Sequence, residues 1–239
     1  MMVQSVLFDL DGTLLDRDTS IEQFISAQYN RLPIHLSHIP KIDYVSKFIE
    51  LDCQGHVWKD KVYQDLVTEF EIQGISWQEL LDDYETQFQF HCVPFPLLVE
   101  MLNNLKQQGY LLGIITNGRG QFQSRAIEGL GIRDYFDVIL ISEVEQLRKP
   151  QVEIFNRAIN RLGVLASNSV FVGDHPEADI MGAKSAKMRA IWKRSSHFLE
   201  VQAADATIDE LKEIPVILEQ FNRLQRTSSN LESSSRFEH

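Results

Sequence analysis

Two aspartates, Asp9 and Asp11, follow an apolar run near the start of the chain, in the stretch VLFDLDGTLLD. Burying an unpaired carboxylate is costly, so such a pair needs either solvent or a compensating partner. Residues two apart on extended backbone face the same side, and Gly12 permits a sharp turn directly after the pair. A hard cation such as Mg²⁺ would offset the repulsion between converging carboxylates. The pair therefore either caps the next element or binds a cation for chemistry.

Two further polar motifs follow apolar runs later in the chain. Thr116, Asn117 and Gly118 offer a hydroxyl, an amide and backbone N–H groups, which suit the binding of phosphate oxygens. Lys149 can supply a point positive charge to an anionic intermediate. Taken alone, the first motif is most simply a turn and the lysine a solvated surface charge.

Two more aspartates, Asp174 and Asp179, follow another apolar run in the stretch GDHPEAD. Asp174 is a natural third carboxylate for a metal, and Asp179 a supporting or secondary ligand about one turn later. An aspartate at a strand end is by itself usually a helix cap or turn residue. Here every motif follows a strand candidate, and open parallel sheets bind ligands beyond the carboxyl ends of their strands.

Short apolar runs with β-branched residues predict five strands, at residues 5–10, 111–116, 137–142, 169–174 and 188–193. Helical patterns separate the later runs; two of them end at Gly109 and Gly163, and Pro176 suits the first turn of another. Strands that are apolar on both faces and alternate with helices indicate a parallel sheet covered on both sides. The sequence therefore predicts a doubly wound, Rossmann-like α/β core.

Residues 17–92 interrupt this alternation, because their patterns are helical and rich in aromatic side chains. The stretch is too long for a simple crossover loop, so we interpret it as an inserted α-helical domain. The α/β core then comprises residues 1–16 and 93–223. Residues 224–239 are polar and rich in serine, as is typical of a flexible tail.

Two capping-box patterns mark helix starts within the helical insertion. Thr19 with Glu22, and Ser76 with Glu79, place a hydroxyl three residues before a glutamate. Asp16 is expected to be a cap or a surface residue. We therefore expect helices to start at Thr19 and at Ser76.

Composition excludes several classes of function. The net charge of −11 argues against a binder of nucleic-acid backbones, which normally carries a basic surface. The two cysteines, Cys53 and Cys92, form no C-x-x-C motif, which suits a reduced cytoplasmic protein without a zinc site. No signal peptide is recognisable, and no apolar run approaches the roughly 20 residues of a membrane span. We expect neither a nucleic acid nor a membrane among the partners.

In this order, DLDGT, TNG, KP and GDHPEAD resemble the four motifs of the haloacid dehalogenase superfamily. The resemblance covers residues 1–16 and 93–210, and the insertion 17–92 falls where that family carries its C1-type cap. It implies a Rossmann-like core with an α-helical cap. It also implies an aspartate nucleophile that forms a covalent aspartyl-phosphate.

The resemblance also implies roles for individual residues. Asp9 matches the nucleophile and Asp11 the general acid and base. Lys149 matches the lysine that stabilises negative charge on the nucleophile and the transferred phosphate. Thr116 matches the residue that binds the phosphoryl group, with Asn117 and Gly118 beside it. The resemblance therefore implies that Asp9, Asp11 and Lys149 are the catalytic residues.

Mg²⁺ is the cofactor that the resemblance implies. Asp9, Asp174 and the backbone carbonyl of Asp11 would bind it, and Asp179 would support the site. The cation and Lys149 would reduce the repulsion between a carboxylate nucleophile and a phosphate dianion.

We therefore predict a Mg²⁺-dependent phosphatase for a small phosphorylated metabolite, acting as a monomer or a homodimer. A phosphomutase, a haloacid dehalogenase and a non-catalytic binding protein are the alternatives on the same fold. Dehalogenases of the family lack an aspartate at the position of Asp11. A dinucleotide-binding oxidoreductase is disfavoured because Gln123 replaces the third glycine of the G-x-G-x-x-G fingerprint. The substrate candidates are a sugar phosphate, a phosphoglycolate-like acid and a nucleoside monophosphate.

Overall fold

Six parallel strands form the centre of the protein in the computed structural model, which describes residues 2–199 and 201–223. The strands are β1 Ser5–Phe8, β2 Leu111–Thr116, β3 Val138–Ile141, β4 Ser169–Gly173, β5 Arg189–Lys193 and β6 Ala206–Ile208. Their order in the sheet is β3-β2-β1-β4-β5-β6, and all pairings are parallel. The predicted α/β fold is thereby confirmed. β6 was not predicted, because three residues are too few to show a pattern.

The sheet is buried on both faces, as its apolar strands require. Alternate residues of a strand face opposite sides, and β1 supplies both of the apolar clusters that flank the sheet. Val6 and Phe8 belong to one cluster, whereas Leu7 packs with Ile115 and Phe171 in the other.

The chain between β1 and β2 is helical. Its helices are α1 Arg17–Arg31, α2 Pro33–Leu36, α3 Lys41–Asp52, α4 Lys59–Glu69 and α5 Trp77–Gln87, followed by a 3₁₀ turn at Phe88–His91. Aromatic side chains pack between these helices; the ring centroids of Phe24 and Tyr84, for example, lie 5.2 Å apart. The boundaries 17–92 of a separate cap domain stay a prediction.

The remaining helices connect successive strands of the sheet. They are α6 Leu98–Gln107, α7 Gly120–Gly129, α8 Ser142–Glu145, α9 Val152–Leu162 and α10 Gly182–Ser185, the last preceded by a helical turn at Pro176–Met181. Residues 214–223 are also helical. Gly109 and Gly163 follow α6 and α9 with φ of 82° and 70°, so both glycines end helices as predicted.

One of the two predicted capping boxes forms. The hydroxyl of Ser76 accepts from the backbone N–H of Glu79, and the Glu79 carboxylate accepts from the backbone N–H of Ser76. The prediction for Thr19 is wrong, because α1 starts earlier, at Arg17. Asp16 is its N-cap and accepts from the backbone N–H of Thr19 at 3.1 Å. The Asp16 carboxylate, which precedes α1, thus caps the helix in place of the Thr19 hydroxyl, which lies within its first turn.

Residues 224–239, the predicted polar tail, lie outside the described residues. Within residues 2–199 and 201–223, no helix combines the length and the apolar character that crossing a membrane requires.

Candidate active site

Most of the predicted site residues line one open cavity at the carboxyl edge of the sheet, whereas Thr116 and Gly118 are not part of its wall. The cavity measures about 810 Å³ and is lined by Asp9, Asp11, Asn117, Lys149 and Asp174. These residues come from the chain after β1, β2, β3 and β4, whose carboxyl ends meet at the same edge. Five positions separated by up to 165 residues in sequence are thus brought to one place.

Lys149 connects two of the acids. Its Nζ lies 2.5 Å from Asp9 Oδ1 and 2.7 Å from Asp179 Oδ1, and the lysine is 3% exposed. Burial acts to lower the pKa of Lys149, but the carboxylates of Asp179 and Asp9 outweigh it and raise the pKa above the usual value. The ammonium therefore remains charged while it is buried between two acids.

Asp9 occupies an environment that disfavours its ionised form. Burial is the main cause that raises the pKa of Asp9, and the nearby Asp179, Asp174 and Asp11 add to it, whereas Lys149 opposes the shift. The single positive charge of Lys149 is therefore not enough to keep the pKa of Asp9 at its ordinary value. A bound cation would favour the carboxylate form that a nucleophile requires.

Three carboxylates form a cluster that fits such a cation. Each of Asp9, Asp174 and Asp179 offers an oxygen, and the three oxygens lie within 4.8 Å of one another. Burial, followed by the charge of Asp179, raises the pKa of Asp174 to about 7. Oxygen-only donors with excess negative charge suit a hard cation such as Mg²⁺. The residues present therefore fit the predicted metal.

Gly12 makes room for this cluster. Its φ is 79°, and a Cβ at this position would lie 2.4 Å from Asp174 Oδ2. A side chain would thus both strain the backbone and displace the Asp174 carboxylate. The glycine that the sequence suggested for a turn also allows the first and fourth motifs to approach each other.

Asp179 uses both of its oxygens within the protein. Oδ1 accepts from Lys149, and Oδ2 accepts from the backbone N–H of His175 at 2.9 Å. Asp179 is also fully buried, and a Cβ on Gly173 would lie 2.4 Å from its Oδ2. These contacts fix the position of Asp179 and, through it, the position of Lys149.

Gln123 is a site residue that the sequence reasoning missed. Its Nε2 donates to Asp11 Oδ2 at 2.7 Å and to Thr116 Oγ1 at 2.6 Å, and the residue is 2% exposed. In the sequence, Gln123 stands out only as a mismatch to the dinucleotide-binding fingerprint. A signal was present, because Gln123 lies on the buried face of α7 with Ala126 and Ile127, where a polar side chain needs a partner.

Of the three residues of the predicted phosphate-binding motif, Asn117 alone lines the described cavity. Thr116 is fully buried, and the Gly118 N–H donates to Ser142 Oγ at 3.0 Å. Asn117 lines the cavity, and its amide exchanges two hydrogen bonds with the backbone of Lys149, at 2.9 and 3.0 Å. Asn117 therefore holds the segment that carries Lys149.

The helical insertion contributes to the same cavity. Arg17, Gln54, Gly55 and His56 line it. The Arg17 guanidinium donates to the buried Asp52 at 2.7 Å, which fixes the arginine beneath Gly55. The cavity therefore has walls from the sheet edge and from the helices between β1 and β2.

Contacts across these two parts are both apolar and ionic. The Tyr84 and Phe122 rings stack with centroids 4.9 Å apart, and Arg119 pairs with Glu85 at 2.5 Å. Both contacts join α5 to the segment that follows β2.

Comparison with protein families matches residues 6–193 to the model described as haloacid dehalogenase-like hydrolase. The chain belongs to the haloacid dehalogenase-like hydrolase family. The match spans all four predicted motifs, so the predicted resemblance is confirmed.

Relatives of this haloacid dehalogenase-like hydrolase carry different activities in their names. It is 27% identical over 234 residues to the glyceraldehyde 3-phosphate phosphatase of Pyrococcus furiosus, covering 92% of this chain and 95% of that one. It is also 27% identical over 230 residues to the pyrophosphatase PpaX of Bacillus cereus strain AH820, covering 93% and 100%. The structure of a 2-haloacid dehalogenase from Pseudomonas syringae has a TM-score of 0.63 at 27% identity, covering 92% and 100%.

Proposed function

We propose that this chain is a Mg²⁺-dependent phosphatase that hydrolyses a small phosphorylated metabolite through an aspartyl-phosphate on Asp9. One arrangement carries the proposal: Asp9 bound to Lys149, and Asp11 held by Gln123, line the same cavity. The curated relatives named as a phosphatase and a pyrophosphatase support the same class of reaction.

Asp9 acts as the nucleophile. Its Oδ1 is bound to the Lys149 ammonium, which leaves Oδ2 to attack the phosphorus. The bond from phosphorus to the leaving alcohol oxygen breaks as the Asp9–phosphate bond forms. Lys149 offsets the negative charge that gathers between the two anions.

Asp11 moves the proton in both halves of the reaction. It donates to the departing alcohol oxygen, and then accepts a proton from the water that attacks the phosphorus of the aspartyl-phosphate. This second step releases inorganic phosphate and restores the Asp9 carboxylate. Gln123 orients Asp11 for both transfers through its hydrogen bond to Oδ2.

Asp9 and Asp174 would hold Mg²⁺, with Asp179 close enough to support the site. When bound, the cation supplies charge that offsets the repulsion between the carboxylate and the phosphoryl oxygens.

The presence of Asp11 separates this proposal from a dehalogenase. A halide leaves as an anion and needs no proton, so a dehalogenase has no use for an acid beside its nucleophile. The similarity to a 2-haloacid dehalogenase nevertheless makes halide release a necessary comparison. A mutase would rearrange a sugar phosphate without net phosphate release.

We also propose that residues 17–92 form a cap that closes over the cavity and excludes water. Gln54, Gly55 and His56 support this, because they line the cavity from the helical insertion. The cap residues would then contribute to substrate choice.

Phosphate release over a panel of esters tests the proposal. The panel contains p-nitrophenyl phosphate, sugar phosphates, 2-phosphoglycolate and nucleoside monophosphates, each with Mg²⁺ and with EDTA in its place. We expect Mg²⁺-dependent release from at least one ester. Release from none of them, or equal release in EDTA, contradicts the proposal.

Two comparisons complete this experiment. Chloride release from 2-chloropropionate, without phosphate release from any ester, identifies a dehalogenase instead. Asp134→Asn, which changes an exposed aspartate away from the cavity, is the control and should retain wild-type turnover.

A further inference from the structure

Lys193 is a second buried lysine in the cavity, and the proposed mechanism does not use it. It ends β5, so it lies at the same edge of the sheet as Asp9 and Asp174. The residue is 4% exposed, and its Nζ lies 3.4 Å from the centroid of the Phe95 ring. Phe95 follows the helical insertion and also lines the cavity.

The other lysines and arginines of the cavity are either bonded to a carboxylate or exposed to solvent. Lysine and arginine side chains line it at Arg17, Arg148, Lys149, Lys193 and Arg194. Three of them are bonded to the carboxylates of Asp52, Asp9 and Asp209, and Arg148 is exposed to solvent. The Lys193 ammonium has no hydrogen-bond or ion-pair partner among residues 2–199 and 201–223. It is therefore the one buried cation of the described cavity wall that lacks a bonded anion.

The acids around Lys193 are committed elsewhere. Burial lowers the pKa of Lys193, and it outweighs the carboxylates of Asp174, Asp16 and Asp209, which act to raise it. Asp16 caps α1, Asp209 pairs with Arg194, and Asp174 belongs to the proposed metal cluster. The Phe95 ring stabilises the ammonium only weakly compared with a carboxylate.

We propose that Lys193 binds a second anionic group of the substrate, a carboxylate or a second phosphate, while the transferred phosphoryl group lies at Asp9. The Lys193 side chain is largely buried, and its ammonium faces the cavity without a bonded anion. Partial desolvation of an unpaired charge is costly, and a substrate anion that enters the cavity would reduce that cost. This inference rests on the proposed phosphatase activity and narrows its substrates to phosphate compounds that carry another acid.

Matched substrates test the inference. 2-Phosphoglycolate and 2-hydroxyethyl phosphate differ in a carboxylate against a hydroxymethyl group, and pyrophosphate supplies a second phosphate instead. The specificity constant kcat/KM is measured for each substrate. Hydrolysis of p-nitrophenyl phosphate reports the phosphatase activity toward an ester that carries no second acid. A charge-assisted hydrogen bond predicts a preference of about ten- to a hundredfold for 2-phosphoglycolate over 2-hydroxyethyl phosphate, or for pyrophosphate over p-nitrophenyl phosphate.

Lys193→Met is the decisive variant, because it keeps an apolar chain over Phe95 and removes only the charge. We expect it to abolish the preference, mainly through KM, while hydrolysis of p-nitrophenyl phosphate stays within about threefold of wild type. Lys193→Arg should retain part of the preference. Lys184→Met is the matched control, since Lys184 pairs with Asp205 outside the cavity.

Failure of the inference and failure of the proposed function give different results. Hydrolysis of p-nitrophenyl phosphate without any preference for the acid-bearing substrates overturns the inference alone. An equal loss of all activities in a folded Lys193→Met also overturns it, and assigns Lys193 a structural role. No hydrolysis of any ester by the wild type rejects the phosphatase function itself. Absence of the preference in the wild type overturns the inference even if Lys193→Met does not fold.

Discussion

Replacing Gln123 with methionine tests the part of the site that the sequence did not predict. Methionine has a similar length and volume, so the change removes the amide without leaving a large cavity. Asp11 then loses the donor 2.7 Å from its Oδ2, and Thr116 loses the donor 2.6 Å from its hydroxyl. The backbone of α7 stays in place.

The expected magnitude follows from these two hydrogen bonds. A hydrogen bond to a charged group is worth about 1.5–3 kcal/mol, and one between neutral groups about 1 kcal/mol. If the bond to Asp11 orients the catalytic acid, kcat falls by about ten- to a hundredfold. The free energy of unfolding should fall by about 1–3 kcal/mol, because Thr116 is buried.

The choice of substrate separates a positioning role from a purely structural one. In the proposed mechanism, an alkyl phosphate has a poor leaving group that needs the proton of Asp11, whereas p-nitrophenolate departs without one. Steady-state kinetics should therefore show that Gln123→Met slows an alkyl ester far more than p-nitrophenyl phosphate. Gln121→Met, on the exposed face of the same helix, is the control. Equal slowing of both esters, or unchanged kcat with lower stability, would show that Gln123 does not position Asp11 for proton transfer.

Three further perturbations follow from the geometry. Lys149→Met leaves Asp9 and Asp179 buried without their shared cation. Urea denaturation without metal should therefore show that the free energy of unfolding falls by about 3–5 kcal/mol. A decrease of less than about 1 kcal/mol contradicts this arrangement. Gly12→Ala places a Cβ against Asp174 at a φ of 79° and should weaken Mg²⁺ binding in calorimetry; unchanged affinity and stability would count against the cluster. The pKa of Asp174 is about 7 without metal, and a metal ligand must be deprotonated. Mg²⁺ affinity should therefore weaken by up to about tenfold for each pH unit below 7 and level off above it, and a flat profile contradicts this.

The raised pKa of Asp174 also predicts how the stability of the metal-free protein changes with pH. Because the pKa of Asp174 is raised above its ordinary value of 3.8, the folded metal-free protein holds a proton that the unfolded chain releases. The contribution of Asp174 to stability is thus fully present below about pH 4 and is lost as the pH rises through about 7.

The sheet was predictable from the sequence because its strands are apolar on both faces. Such runs stand out when helices and glycines separate them, and β1, β2 and β4 lie where the runs predicted. β6 escaped because its three residues carry no pattern. The capping pattern predicts the wrong start for α1. The backbone N–H of Asp16 donates to the carbonyl of Val93, a long-range contact that places the Asp16 carboxylate at the N-cap.

The candidate site was predictable only as a set of positions. The order of the motifs and the topology of parallel sheets indicate that Asp9, Lys149 and Asp174 lie together. The sequence does not show that Asn117 holds the backbone of Lys149, or that Gln123 joins Asp11 to Thr116. Those contacts depend on how α7 and the loop after β3 pack, which has no periodic signal.

Lys193 is another residue whose environment cannot be predicted from the sequence. Lys193 ends an apolar strand, where it resembles an ordinary surface charge in the sequence. Only the fold shows that it is buried over Phe95 and faces the cavity.

Turnover of Asp9→Asn with Mg²⁺ tests whether Asp9 is the nucleophile. The variant keeps the size of the side chain and removes the carboxylate beside Lys149 that we propose as the nucleophile. We expect phosphate release from the best substrate to fall by at least about 10³-fold, since removal of a catalytic nucleophile leaves little residual activity. Near-wild-type turnover by a folded, purified Asp9→Asn would contradict an aspartyl-phosphate at this position.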